Sequence, residues 1–232
     1  MAADEKVSDL VLSQLEQSLA ALVGQFVAEP HRFFTEADAV ASFTSQVLQR
    51  PALAGIHRTA DGQATGLLHR EYPTFFRFKK SDPRRRLERP ARRGHYDLAL
   101  LDPNYVERHG ATAVTNRRIE DRGILSPPPL LAVVEFKLFA DAWDRRRVSD
   151  VRHVLGKLQL TLNPPAHARA VYLCLMQRDI QSTPRRWDAN WGGVREMLAQ
   201  AGDVASVVAV TWPEQQRDPL LEYRGPWVVD MP

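Results

Sequence analysis

Five consecutive apolar residues, Leu130-Leu131-Ala132-Val133-Val134, run directly into Glu135-Phe136-Lys137. A strand with one face in water alternates apolar and polar side chains, so an unbroken run of this kind belongs to a strand covered on both faces. The chain is therefore expected to be α/β, a mixed sheet flanked by helices, with residues 130–138 as a central strand. Side chains alternate along a strand, so Glu135 and Lys137 point the same way while Phe136 enters the opposite layer.

The remaining pattern fits around that strand. Val7, Leu10, Val11, Leu15, Leu19, Leu22, Val23 and Phe26 recur at helical spacing, which predicts an amphipathic helix over 7–27 that stops before Pro30. Thr35, with Asp38 three residues on, is an N-cap for a second helix running to about Arg50, with Val40, Phe43 and Val47 as its apolar stripe. Leu67 to Phe78 reads as a strand, near an edge or bulged because of Pro73, and His95 to Leu101 as a second. Val148 to Leu162 is helical and ends at Asn163-Pro164-Pro165; Ala168 to Met176 is the fourth strand. A helix over Trp191 to Ala201 and a fifth strand over Val204 to Trp212 follow, and Gly62 and Gly66 are expected to make a turn. The order is a helical extension (1–30), a core of helix, three strands, helix and strand (34–176), and a helix–strand addition (177–232). At 232 residues these form one domain.

Charge is unevenly spread. Between positions 79 and 93 stand Lys79, Lys80, Arg84, Arg85, Arg86, Arg89, Arg92 and Arg93 against Asp82 and Glu88, a net +6. The formal total is +3, so the remainder of the chain carries −3. A basic segment on a mildly acidic body suits a polyanion, whose condensed counterions it releases; a solvated loop without a partner is the competing reading. The only cysteine, Cys174, sits among apolar neighbours and rules out an intrachain disulfide and a cysteine-rich zinc site. The N-terminus lacks the basic start and apolar run of a signal peptide, and uninterrupted apolar stretches fall far short of the ~20 residues that span a bilayer. The chain thus reads as cytoplasmic, with no membrane partner. It carries no Gly-rich phosphate loop, nucleophile elbow or dinucleotide fingerprint.

Asp97 lies in the second strand, after Gly94-His95-Tyr96. Sequential strands are usually neighbours, which lets Asp97 face the Glu135/Lys137 pair. Two facing carboxylates away from bulk water repel and need a compensating cation. A hard divalent ion takes oxygen ligands of the kind offered by Asp97, Glu135, the Phe136 backbone carbonyl and a substrate phosphate. Lysine is rare here: Lys6, Lys79, Lys80, Lys137 and Lys157 are the only lysines among 31 basic residues. Lysine at 137 therefore selects a compact ammonium with an adjustable pKa over a planar guanidinium.

With Asp97 on the second strand and Glu-x-Lys at Glu135 and Lys137 on the third, the sequence resembles the PD-(D/E)XK, or restriction-endonuclease-like, nuclease superfamily over roughly Phe34 to Met176. The resemblance implies a restriction-endonuclease-like core and hydrolysis of phosphodiester bonds, of DNA in the first instance, dependent on Mg²⁺ (or Mn²⁺). It makes Asp97 the metal-binding aspartate, Glu135 the second ligand, and Lys137 the lysine that positions water or supports the developing anion. Glu36 resembles the extra acid many members carry on the preceding helix, and Glu71 competes for that role. Lys157 and Gln159, on the helix after the third strand, match the polar residue some members project into the site. The basic segment 79–93 would grip the nucleic-acid backbone, and a homodimer that cuts both strands is left open. Tyr96, not proline, precedes Asp97, a departure from the motif.

The competing readings are structural. They make Asp97 a hydrogen-bonded strand-end residue, Glu135 and Lys137 a same-face ion pair, Glu36 an acid favoured by a helix N-terminus, and Lys157 a packing residue. The alternative function is a nuclease-like subunit that no longer cuts and binds nucleic acid or a protein partner.

Overall fold

The computed structural model describes residues 2–74, 94–111, 114, 129–139, 145–163, 168–178, 184–212 and 218–225. The basic segment expected to grip nucleic acid, Lys79 to Arg93, lies outside the described residues. In chain order the elements are helices α1 (Ala2–Ala28), α2 (Glu36–Val47) and the short α3 (Pro51–Ala54), a hairpin of β1 (His57–Arg58) and β2 (Ala64–Thr65), and strands β3 (Leu68–Pro73) and β4 (His95–Leu101). The short α4 (Pro103–Arg108), β5 (Leu130–Phe139), α5 (Arg145–Leu162), β6 (Ala170–Gln177), α6 (Pro184–Gln200), β7 (Ala205–Val210) and β8 (Leu220–Arg224) complete them.

Strands β3 to β8 form one six-stranded sheet whose spatial order is their chain order. Pairing is antiparallel from β3 to β5, parallel from β5 to β7 and antiparallel between β7 and β8. Parallel neighbours cannot be joined by a hairpin; α5 and α6 make the two crossovers and pack on each other. The protein is α/β, a mixed sheet flanked by helices.

Strand β5 occupies the interior position that its apolar run predicts, buried from Leu130 to Phe136. Alternation along it separates two layers. Phe136 meets Phe43 of α2, ring centroids 5.4 Å apart, and Tyr172, on the same face by the Val134–Tyr172 pairing, donates its hydroxyl to Glu16 of α1 at 2.9 Å. Glu135 points into the opposite layer, towards α5.

Helix α1 buries Val11, Leu15, Leu19, Leu22, Val23 and Phe26, the stripe its sequence spacing predicts. Within Glu5–Ala28 an 18-residue window with a mean hydropathy of 1.2 also makes it long and apolar enough to cross a bilayer. Counting uninterrupted apolar runs overlooks this because polar residues such as Gln14, Glu16, Ser18 and Gln25 break the runs. In the fold the stripe lies on α2, β5 and β7. The N-terminus of α2 is closed by the expected Thr35–Asp38 capping box.

Several elements differ from the expectation. Helix α6 begins at Pro184, a full two turns before Trp191. The hairpin β1–β2 turns at Gly62, whose φ of 79° suits glycine. Helix α4 carries the signals of a helix start, an Asp102 N-cap and proline in its first turn, but is too short for an apolar period. Strand β8 is likewise brief, and it ends at Gly225, where a Cβ would lie 2.8 Å from the Ala205 Cα. Strand β3 is the sheet edge, as Pro73 suggests, and Glu71 within it adopts a left-handed φ of 49°.

Candidate active site

The β4–β5 ladder sets Leu98 opposite Val134, so the next step along it sets Asp97 opposite Glu135. Here the side chains enter the ladder. The Asp97 backbone N–H donates to Glu135 Oε1 (3.3 Å), and the Phe136 N–H donates to Asp97 Oδ2 (2.7 Å). Each carboxylate takes an amide from the other's strand, which locks the two acids together at the point where regular pairing ends.

Glu135 is 2% exposed and does not stand alone. Lys157, from the middle of α5, brings its Nζ to 2.6 Å from Glu135 Oε1 and donates to the His95 carbonyl at 2.8 Å. The same ammonium lies 5.7 Å from the centre of the Tyr96 ring. Thr161 Oγ1 gives its proton to the Lys157 carbonyl one turn back, so the buried Tyr96 hydroxyl, 2.8 Å away, donates to Thr161. Tyr96, the residue that departs from the motif, thereby ties β4 to α5 over the ion pair.

Lys137 reaches a different acid. Its Nζ donates to Glu36 Oε2 at 2.8 Å, and Glu36 is the first residue of α2, set by the capping box behind it. Lys137 thus stands between Glu36 and the charges of the strand acids.

Burial pushes the Glu135 carboxyl up to about 7; the neighbouring Asp97 charge adds to this, while Lys157 and Lys137 hold it back. Burial alone would lower the Lys137 pKa, but the negative charges of Glu36, Asp97 and Glu135 outweigh it and hold the ammonium above its ordinary value. The adjustable lysine expected at 137 is thus fixed in its charged form at neutral pH.

The other sequence candidates fall further out. Glu71 stands across β3–β4 from Asp97, between the pairs Arg70–Leu98 and Tyr72–Tyr96, but its side chain is exposed. Gln159 is not brought to the site: two residues past Lys157 on α5, it points to solvent and lines a shallow recess with Leu162, Asn163, Arg169 and Asp203. The helical period that turns Lys157 inward turns Gln159 outward. What sequence reasoning under-weighted was Lys157 itself. It occupies the buried face of α5, one turn from Val154 and Thr161, and a lysine on such a face is the signal.

Among the described residues, no group of three or more His, Cys, Asp or Glu is arranged to hold a metal ion. The donors at this site are two carboxylates and the Phe136 carbonyl, all oxygen, as a hard divalent cation prefers. Asp97 Oδ1 and Glu135 Oε2 are engaged by no described residue, while Lys157 already sets a positive charge beside the buried Glu135 carboxylate. Comparison of the chain with protein-family models, with curated proteins and with solved structures finds no match. Fold and site define the class on their own terms: an α/β protein with a pair of facing acids, one of them buried, beside two lysines where two strands of a mixed sheet part.

Proposed function

We propose that the protein is a nuclease, dependent on Mg²⁺ or Mn²⁺, that hydrolyses phosphodiester bonds of DNA on a restriction-endonuclease-like core. The observation that carries the reading is the direct opposition of Asp97 and Glu135, each holding an amide of the other's strand. The order α2, β3, β4, β5, α5, β6 supports it, as does the Glu-x-Lys spacing at the end of β5. A cytoplasmic setting belongs to the same reading, which leaves a homodimer open.

Asp97, Glu135 and the Phe136 carbonyl are the groups that would hold the ion. When bound, the ion supplies Lewis-acid stabilisation of charge on the scissile phosphate and makes coordinated water more acidic. The protein's own residues do the rest. Lys137, kept protonated by Glu36, stabilises the anion that develops on the phosphate and has no proton vacancy with which to act as a base. Lys157 offsets the buried Glu135 charge from below and holds its orientation through the His95 carbonyl.

The test is incubation of plasmid, linear and single-stranded DNA with Mg²⁺ or Mn²⁺, beside an Asp97→Ala protein. Cleavage by the parent and its loss in the variant are expected; identical products from both would overturn the reading. One observation favours a second reading, a nucleic-acid-binding subunit that does not cut: Glu135 already has a cation in Lys157. Salt-sensitive binding with no cleavage and no metal affinity would select it.

A further inference from the structure

Phe34 is 72% exposed, the only aromatic among the large exposed apolar residues of the described chain. It is held rigidly. Its N–H donates to the capping carboxylate of Asp38 at 2.9 Å, and it stands two residues before Glu36, the partner of Lys137. The Arg178 guanidinium lies 5.3 Å from the centre of its ring and donates to the neighbouring Phe33 carbonyl. Arg178 follows directly on β6, and its N–H donates to the carbonyl of Phe139, two residues past Lys137. A second arginine, Arg147 of α5, lies 5.5 Å from the Phe139 ring. Two Arg–Phe pairs thus border Lys137 at the C-terminal ends of β5 and β6, the edge of a parallel sheet where α/β folds take their ligands. The acids nearby are already committed, Glu36 to Lys137 and Asp38 to the Phe34 and Thr35 amides.

A phenyl ring left in water forgoes the gain of burial. An exposed ring with a guanidinium over it is the combination that receives an unpaired base and its phosphate. Bases inside a duplex are stacked on one another and present no free face to it. We propose that Phe34 and Arg178 form a base-stacking platform, so that the strand entering the Asp97–Glu135 site is single-stranded. The inference deepens the nuclease reading and rests on it for the identity of the partner.

The experiment measures binding, by fluorescence anisotropy, in metal-free buffer at low salt, where nothing is cut. The probes are labelled dT and rU oligonucleotides, a blunt duplex, and an abasic deoxyribose-phosphate strand of equal length. Phe34→Ala should weaken binding of dT or rU roughly tenfold, Phe34→Trp should retain it, and affinity for the duplex and the abasic strand should stay unchanged. The side chain is solvent-facing, so the variants keep the fold. A loss on either single strand supports the platform, and the strand bound more tightly names the sugar. Unchanged affinity in Phe34→Ala, an equal loss on the abasic strand, or no binding of dT and rU by the parent protein would overturn it. The two readings fail separately. Phe34-dependent binding with no cleavage under any metal sinks the nuclease and leaves the platform; metal-dependent cleavage with Phe34-independent binding does the reverse.

Discussion

At the scale of single residues, the protein concentrates its electrostatic tension on Glu135. A carboxyl with a pKa near 7 when folded, against an ordinary value of 4.5, binds its proton more tightly in the folded than in the unfolded state. Its contribution to stability is therefore fully present below about pH 4.5 and is lost as pH rises through about 7. Urea denaturation at pH 5 and pH 8 should show the parent protein losing about 2 to 3 kcal/mol more than Glu135→Gln across that interval. Parallel pH slopes in the two proteins would mean that Lys157 keeps Glu135 ionised throughout. The sequence exposed much of this site. Asp97 and Glu135 were readable because strand alternation and neighbouring strands leave few ways to arrange them. The identity of the lysine beside Glu135 was not readable. Lys137 is two positions away on the same strand, whereas Lys157 arrives through the packing of α5, and which ammonium takes which acid is decided by that packing.

At the scale of elements, the capping box does more than start a helix. Asp38 accepts from the Phe34 and Thr35 amides and so sets the first turn of α2, from which Glu36 reaches Lys137. Asp38→Ala should lower the melting temperature, measured by thermal denaturation. It should also reduce cleavage more than Ser45→Ala, a change on the exposed side of the same helix. Equal activity in both variants would show that Glu36 holds Lys137 without help from the cap. Elements with a long period, such as α1, α2 and β5, were legible because many side chains repeat one message. Helix α4 and strands β1, β2 and β8 span too few residues for a period, and their existence depends on what they lie against. The early start of α6 is of the same kind.

At the scale of the whole molecule, charge separation bears on how a polyanion would approach. Eight basic residues between positions 79 and 93 stand against a remainder of −3. Replacing Arg84, Arg85, Arg86 and Arg89 by glutamine should lower the slope of log affinity against log salt by up to about 3 on single strands. An unaltered slope would mark the segment as solvated and without a partner.

The sheet has a consequence for how the chain is born. Its six strands lie side by side in the order the ribosome delivers them, so each emerging strand finds its neighbour already in place. The first helix is the exception. Part of the bed on which α1 rests is β7, one of the last elements to be synthesised. Until β7 emerges, a helix with the length and hydropathy of a bilayer-crossing segment stands partly uncovered.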